Sequence, residues 1–242
     1  MKKALSLLAL LYMVSPWTAA QDSAFGLKGG MTLGIQKWNG FQQDPLIKYH
    51  LIAFIESADE EDRFSLFAQG GYHVKGSAIR NRNFFSPING QFYRPPAQQF
   101  LFHNVSVTLG AKSKYDFGQK SKVYYLFGIR GDYTIKTNLD KYRELNELNN
   151  SLFFPDDFFV QKWNYGVTFG GGFEYALGRL VGCMLEFTVN PDLSYQYKQP
   201  AIPNVYDPYT GQTRTLSERT IRNVTFEVTL GIRFLRIVEY ID

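Results

Sequence analysis

The feature that most constrains the fold of this chain is an alternation of apolar and polar residues that recurs eight times. The segment NYGVTFGGGFEYALGRLVGCMLEFTVN, residues 164–190, shows the alternation twice, on either side of a tight LGR turn. A period of two is typical of β-strands with one apolar and one polar face. The polar faces of these two adjoining strands carry the carboxylates Glu174 and Glu186, so the pattern alone leaves open which face is inside.

The lengths of the connections indicate which face points inward. Short links (SADEED, SKYDFGQKS, LGR) follow the second, fourth and sixth strands, whereas we place long loops at residues 36–45, 76–98, 137–162 and 195–219. Short turns at one end and long loops at the other are the topology of outer-membrane barrels. The sequence therefore predicts an all-β fold, an eight-stranded antiparallel up-and-down transmembrane β-barrel of the size of OmpA or OmpX. Both termini are expected in the periplasm of a Gram-negative bacterium.

The first twenty residues have the composition of a secretory signal peptide. MKK is basic, ALSLLALLYMV is apolar, and Thr18, Ala19 and Ala20 form a small-residue cleavage site. We therefore interpret residues 1–20 as a signal peptide and residues 21–242 as one outer-membrane barrel domain. Removing two lysines with the signal lowers the net charge from +4 to +2, which does not favour a nucleic-acid partner.

With the apolar faces toward lipid, the polar faces line a lumen just wide enough for side chains. Its lower part is predicted to hold four cations and four anions, namely Lys28, Glu56, Lys112, Arg130, Glu174, Glu186, Glu227 and Arg233. Glu174 and Glu186 lie close across the LGR turn and repel, so we expect Arg130 and Arg233 to bridge them. The expected result is a neutralised plug, although paired carboxylates also serve in acid–base catalysis.

The positions of the three histidines in the sequence do not indicate a metal site or a catalytic group. His50 and His73 are predicted to face the lumen on neighbouring strands, and two histidines alone do not define a metal site. Ser77 lies near His73, as in barrel enzymes that acylate or deacylate lipid A, but no acid is placed beside them. We therefore predict a non-enzymatic barrel without catalytic residues, metal, cofactor or small-molecule substrate. A lipid-A modifying enzyme and a general OmpX-like structural or adhesion barrel remain the alternatives.

Two long loops carry clustered aromatic residues beside prolines, NFFSPINGQFYRPP and SLFFPDDFFVQKW. Exposed rigid rings provide contact area at a small cost in ordering entropy, so both loops are candidate partner-binding surfaces. The candidate residues are Phe84, Phe85, Phe92, Tyr93, Phe153, Phe154, Phe158 and Phe159. The alternative is that the rings form a cap over the barrel mouth, or contact lipopolysaccharide. The segment LDKYRELNEL in the third long loop also has the pattern of a short amphipathic helix.

FGLKGGMTLGI near the start, eight alternating strands and a final VTLGIRF give the chain a family resemblance. It resembles the PorT-type outer-membrane β-barrels of Bacteroidota over nearly the whole length after the signal. The resemblance implies a role in type IX secretion, which exports proteins with C-terminal targeting domains such as gingipain-like proteases and gliding adhesins. It implies other proteins of the secretion machinery as partners, beside outer-membrane lipid and lipopolysaccharide. The tail 235–242 runs past the expected terminal aromatic and is predicted to project into the periplasm.

Overall fold

The computed structural model describes residues 22–39, 43–57, 63–80, 84–86, 90–93, 97–148, 154–206 and 211–236. In chain order the strands are β1 (Ser23–Trp38), β2 (Asp44–Ser57), β3 (Phe64–Ile79), β4 (Phe84–Ser86), β5 (Gln91–Tyr93), β6 (Gln98–Asp116), β7 (Ser121–Thr137), β8 (Trp163–Ala176), β9 (Val181–Pro191), β10 (Tyr197–Gln199), β11 (Ile202–Tyr206), β12 (Thr213–Leu216) and β13 (Arg219–Arg236). Helix α1 spans Asp140–Leu148, and a 3-10 helix spans Asp157–Phe159. In the described part of the chain, no helix is long and apolar enough to cross a membrane.

The eight long strands close into one barrel. Each pairs antiparallel with the next in the order β1-β2-β3-β6-β7-β8-β9-β13, and β13 returns to pair with β1. The closing register runs from Trp38 opposite Ile221 to Ser23 opposite Arg236. Closure gives every one of these strands two hydrogen-bonded neighbours, which satisfies the backbone within the sheet. The predicted eight-stranded antiparallel up-and-down β-barrel is confirmed.

The apolar side of each barrel strand faces outward. More than half of the side-chain surface is exposed at Leu27, Leu51, Leu66, Leu109, Phe127, Ile129, Phe187 and Leu230. The polar side chains of the opposite parity are buried in the lumen, among them Lys28, Thr32, Glu56, Thr108, Lys112, Glu186 and Thr225. An apolar exterior around a charged interior is stable in lipid and unstable in water, so the strands form a transmembrane barrel.

We call the end of the barrel that carries the long loops the loop end. Two of the connections there are shorter than predicted. The opposite end, where β1 starts and β13 ends, is the terminal end. Only residues 39–43 join β1 to β2, not the predicted 36–45, because β1 continues to Trp38. The predicted loop 76–98 is also shorter, since the pairing of β3 with β6 continues as far as Ile79 opposite Gln98. Strand pairing thus extends further toward the loop end than the apolar–polar alternation does.

Small elements stand on the loop end. β4 pairs with β5, β11 pairs with β12, and β10 adds to the beginning of β13. Helix α1 confirms the amphipathic helix predicted in LDKYRELNEL. The predicted signal peptide 1–20, Phe153 and the tail beyond Arg236 lie outside the described residues, as do the side chains of Phe84, Phe85 and Tyr93.

Candidate functional site: the charged lumen and its cap

Two buried carboxylates organise the terminal end of the lumen. Glu56 on β2 accepts hydrogen bonds from Lys112 at 2.7 Å and Lys114 at 2.8 Å, and Arg233 lies 3.5 Å away. Glu174 on β8 accepts from Arg233 at 2.5 Å and from Lys114 at 3.4 Å. Because Lys114 and Arg233 each touch both carboxylates, the cluster ties β2, β6, β8 and β13 together across the lumen.

A third buried carboxylate, Glu186 on β9, lies just above. Its carboxylate accepts from the Lys28 ammonium at 2.5 Å and from the Tyr124 hydroxyl at 2.9 Å. The Lys112 ammonium lies 4.7 Å from the centroid of the Tyr124 ring and 5.4 Å from that of Phe54. Ammonium groups over aromatic faces gain electrostatic stabilisation that partly offsets their removal from water. The rings therefore fill the space between the charges as well as stabilising them.

The middle of the lumen holds two histidines and one carboxylate. His73 Nδ1 lies 2.7 Å from Glu227 Oε1, and the two imidazole rings stack with centroids 5.4 Å apart. His50 Nδ1 lies 2.9 Å from the Thr32 hydroxyl, and His50 Nε2 lies 2.9 Å from the Thr229 hydroxyl. All five side chains are buried, so each polar atom depends on these partners.

Toward the loop end, two aspartates share two cations. Lys75 donates to Asp132 at 2.7 Å and to Asp192 at 3.1 Å. Arg130 donates through Nε to Asp132 at 3.0 Å and through Nη2 to Asp192. Asn223 also donates to Asp192, at 2.9 Å. The fork of the guanidinium thus bridges β7 and the end of β9, and this layer completes a polar plug along the lumen.

The structure places all eight residues of the predicted charge network at the lumen, and Arg233 alone among them is partly exposed. They are Lys28, Glu56, Lys112, Arg130, Glu174, Glu186, Glu227 and Arg233. Seven of them make at least one ion pair with a lysine, arginine or carboxylate, and Glu227 is hydrogen-bonded to His73. The network continues through residues that were not predicted from the sequence. The lumen is therefore charged along its whole length rather than only in its lower part.

The predicted bridge between Glu174 and Glu186 is wrong. Arg233 contacts Glu174, but its second carboxylate is Glu56. Arg130 contacts neither glutamate, because on the sheet it lies opposite Gly166, well above Glu174 along β8. Its partners are instead the two aspartates at the loop end. Lys28 on β1 supplies the cation at Glu186 on β9, reaching over the one intervening strand, β13, at Gly231.

Several members of the network were missed from the sequence, namely Lys75, Lys114, Tyr124, Asp132 and Asp192. Lys114 has the lumen-facing parity of Lys112 but lies beyond the predicted strand end, and Asp192 follows the end of β9. Extending the alternation by one pair of residues finds Lys114. With these residues included, six lysine and arginine side chains pair with five carboxylates in the described part of the lumen, and the sixth carboxylate, Glu227, has His73 as its partner.

An aromatic cap closes the loop end above the polar plug. Its buried core consists of Ile79, Phe100, Phe102, Leu139, Tyr142, Tyr197 and Ile221, with Trp38, Phe154, Phe159 and Val160 packed against it. The Phe100 ring lies 4.7 Å from that of Tyr142 on α1 and 5.1 Å from that of Trp38, centroid to centroid. Burial raises the pKa of Tyr197 to about 12, so its hydroxyl stays protonated and donates to Gln199 at 2.9 Å.

The candidate loop aromatics divide between the two predicted roles. Phe154 and Phe159 pack into the cap. Phe158 and Phe92 point to solvent, with 83% and 72% of their surface exposed. Capping and surface display are therefore both present, and the loop that holds Phe154, Phe158 and Phe159 shows both.

Truncating the centre of the cap is expected to open it. Phe100→Ala removes a fully buried ring, and such a change costs about 3 kcal/mol, equal to about a 100-fold change in a local opening equilibrium. We expect hydrogen–deuterium exchange of the amides of α1 and residues 154–160 to accelerate by about that factor. Phe158→Ala is the control, because its exposed ring touches the cap only at the edge of Phe159, so exchange of the α1 amides should not change. Equal exchange in the two variants would contradict the cap.

The residues considered for lipid-A chemistry are not brought together. Ser77 donates to Gln36 at 2.6 Å, whereas the partner of His73 is Glu227. His103 lies on β6 with its ring against the Tyr72 hydroxyl. The serine and the histidine of the proposed pair thus belong to two separate hydrogen-bond groups.

No protein-family model and no curated protein sequence matches the chain. Several crystal structures are similar to it. Neisserial surface protein A is 11% identical, with a TM-score of 0.45, over 87% of this chain and 97% of that one. The outer membrane protein OprG from Pseudomonas aeruginosa is 10% identical, with a TM-score of 0.46, over 88% and 97%. The outer membrane protease OmpT from Escherichia coli is 10% identical, with a TM-score of 0.42, over 90% and 98%.

Proposed function

We propose that the protein is a non-enzymatic outer-membrane barrel that supports protein secretion by contacting other proteins of the secretion machinery. Following the resemblance to PorT-type barrels, we propose type IX secretion as the pathway and the outer membrane as the location, with both termini in the periplasm. The outer wall contacts membrane lipid and lipopolysaccharide. The filled lumen is the observation that favours protein contacts over transport through the barrel.

The filled lumen supports this proposal in two ways. Ion pairs run through its length, and breaking a buried pair by removing one partner costs about 3–5 kcal/mol, so the plug does not open readily. Above the plug, the aromatic cap covers the loop end. A barrel closed in this way acts through its outer surfaces.

The 3-10 helix at the loop end offers a preorganised contact. The Asp156 side chain accepts from the Phe158 backbone N–H at 3.0 Å, and Arg143 donates to Asp157 at 3.0 Å. These bonds hold the exposed Phe158 ring above the cap, while its neighbour Phe159 anchors the turn in the cap. A fixed, exposed ring loses little entropy on binding, which is the property of an interface anchor.

The proposal is tested by deleting the protein and measuring export of proteins that carry C-terminal targeting domains. We expect the deletion to retain that cargo inside the cell, and the intact protein supplied in trans to restore export. Normal export in the deletion strain would refute the secretion role. Loss of surface attachment alone would support an OmpX-like adhesion barrel, and loss of a lipid-A modification alone would support the enzyme.

The loop-end contact is tested by Phe158→Ser in the complemented strain. Because the ring is exposed, the variant should fold normally, while losing an anchor of about 2 kcal/mol weakens binding about 30-fold and reduces export. The matched control is Phe117→Ser, which removes a similarly exposed ring, 67% accessible, from the terminal end. Equal export by the two variants would place the contact elsewhere.

A further inference from the structure

We infer that His50, His73 and Glu227 form a binding site for a divalent transition-metal ion of the Zn²⁺ type. The inference rests on the geometry of the lumen and is independent of the proposed role in secretion. One nitrogen of each histidine and one oxygen of the carboxylate all lie within 4.8 Å of one another, and all three residues are buried. Imidazole nitrogens with a carboxylate are a ligand set that suits zinc and neighbouring metals.

The separations lie on either side of what such an ion requires. His73 Nδ1 is 2.7 Å and His50 Nδ1 is 4.0 Å from Glu227 Oε1. In a tetrahedral zinc site with bonds of about 2.1 Å, ligand atoms lie about 3.4 Å apart. One observed distance is shorter than this and the other longer, so small side-chain rotations place all three atoms around one ion. The ion then replaces the proton shared by His73 and Glu227.

The Thr32 hydroxyl provides a fourth polar atom at the same point, the second oxygen of the set. The hydroxyl lies 2.9 Å from His50 Nδ1 and donates to Glu227 Oε1 at 3.4 Å, so it lies between two of the ligands. The other nitrogen of His50 is held by the Thr229 hydroxyl at 2.9 Å. A hydrogen bond to the second ring nitrogen fixes the tautomer and orientation of a metal-binding histidine.

The barrel holds these groups at one level. His50 on β2 lies directly opposite His73 on β3, and Thr32 on β1 lies directly opposite Glu227 on β13. The four residues therefore come from four consecutive strands of a closed sheet, which is a rigid frame for a binding site. Only closure of the barrel brings Glu227 to the histidines. The sequence analysis therefore considered His50 and His73 alone and not Glu227.

Ion pairs lie on both sides of the site along the lumen. Lys28 with Glu186 is on the terminal side, and the Arg130 layer with its aspartates is on the loop side. A site enclosed in this way has the character of a structural metal centre rather than a catalytic one with an open position. We therefore expect the ion to enter during folding and to exchange slowly afterwards.

Refolding with metal tests the inference. The urea-denatured protein is refolded into detergent with Zn²⁺, or with Co²⁺ as a spectroscopic substitute, and freed of loose metal by gel filtration. We expect about one ion per chain by mass spectrometry, and for Co²⁺ the intense visible absorption of tetrahedral coordination. His73→Gln and Glu227→Gln should each lower the bound metal at least tenfold. The matched control, His103→Gln, changes the histidine on the outer side of β6 and should keep the full amount.

The wild-type protein decides the question even where a variant does not refold, as judged by its mobility in unheated gels. Substoichiometric metal in the folded wild type, or the weak octahedral spectrum of hydrated Co²⁺, would overturn the site. Loss of metal in His103→Gln alone would also overturn it, because the ion would then lie on the outer wall. Equal binding by His73→Gln, Glu227→Gln and wild type, all folded, would do the same.

Discussion

Glu186→Lys is expected to abolish the folded barrel. The carboxylate is buried, and its partners are the Lys28 ammonium at 2.5 Å and the Tyr124 hydroxyl at 2.9 Å. Leaving a buried charge without its partner costs about 3–5 kcal/mol, and the substitution adds a second ammonium beside the first. Since domains are stable by about 5–15 kcal/mol, this removes a large share of the free energy of unfolding. The measurements are urea unfolding in detergent and the mobility of unheated samples in gels.

The control reverses the pair rather than breaking it. Lys28→Glu combined with Glu186→Lys keeps one charge of each sign at the same two positions, so it should recover a substantial part of the stability. A single Glu186→Lys variant that folds like the wild type would show that the plug does not hold the barrel together. That result would also remove the main support for a closed lumen.

Phe127→Arg is expected to have the second largest effect. Phe127 lies mid-strand on β7, faces outward and is 58% exposed. A charged side chain on the lipid face near the bilayer midplane costs about 2–4 kcal/mol. We expect the midpoint of unfolding from lipid vesicles to fall and the folded fraction to decrease. In a water-soluble protein the same change of an exposed ring to arginine is nearly neutral.

Phe158→Arg is the control that separates the effect of lipid contact from that of the added charge. Phe158 is more exposed than Phe127 but lies on the 3-10 helix at the loop end, away from the lipid belt. Its substitution should leave the unfolding midpoint within about 0.5 kcal/mol of the wild-type value. If both variants unfold alike, the outward face of β7 does not contact lipid and the membrane interpretation fails.

The fold was predictable from the sequence because one physical rule governs every strand. In lipid the backbone is satisfied only by closure, so the alternation at Leu27 and Lys28 on β1 has the same meaning as that at Phe226 and Glu227 on β13. Parity then assigns each side chain to the wall or the lumen without knowledge of its contacts. The amphipathic helix α1 was equally visible, since its pattern is local.

The pairing inside the lumen was not predictable in the same way. Which residues meet across the barrel depends on the stagger of each strand against its neighbour. That stagger cannot be read from the alternation within a single strand. Arg130 was therefore assigned to the wrong carboxylates, and Glu227 was not brought to His50 and His73. A cap of loop aromatics was one of the two alternatives drawn from the sequence, but the part played by Phe100 and Phe102 was missed, because they continue the lumen parity of β6 and meet rings from two distant loops.

The pairing of β1 with β13 has a consequence for how the molecule is made. Ser23 on the first described strand has Arg236 on the last as its neighbour, so the ring of strands closes only after β13 has been synthesised. Before the barrel closes, the charged side chains of the lumen are not shielded by a complete wall of strands. Contacts this distant in sequence form slowly. We therefore expect the pairing of β1 with β13 to follow the pairing of strands that are neighbours in sequence.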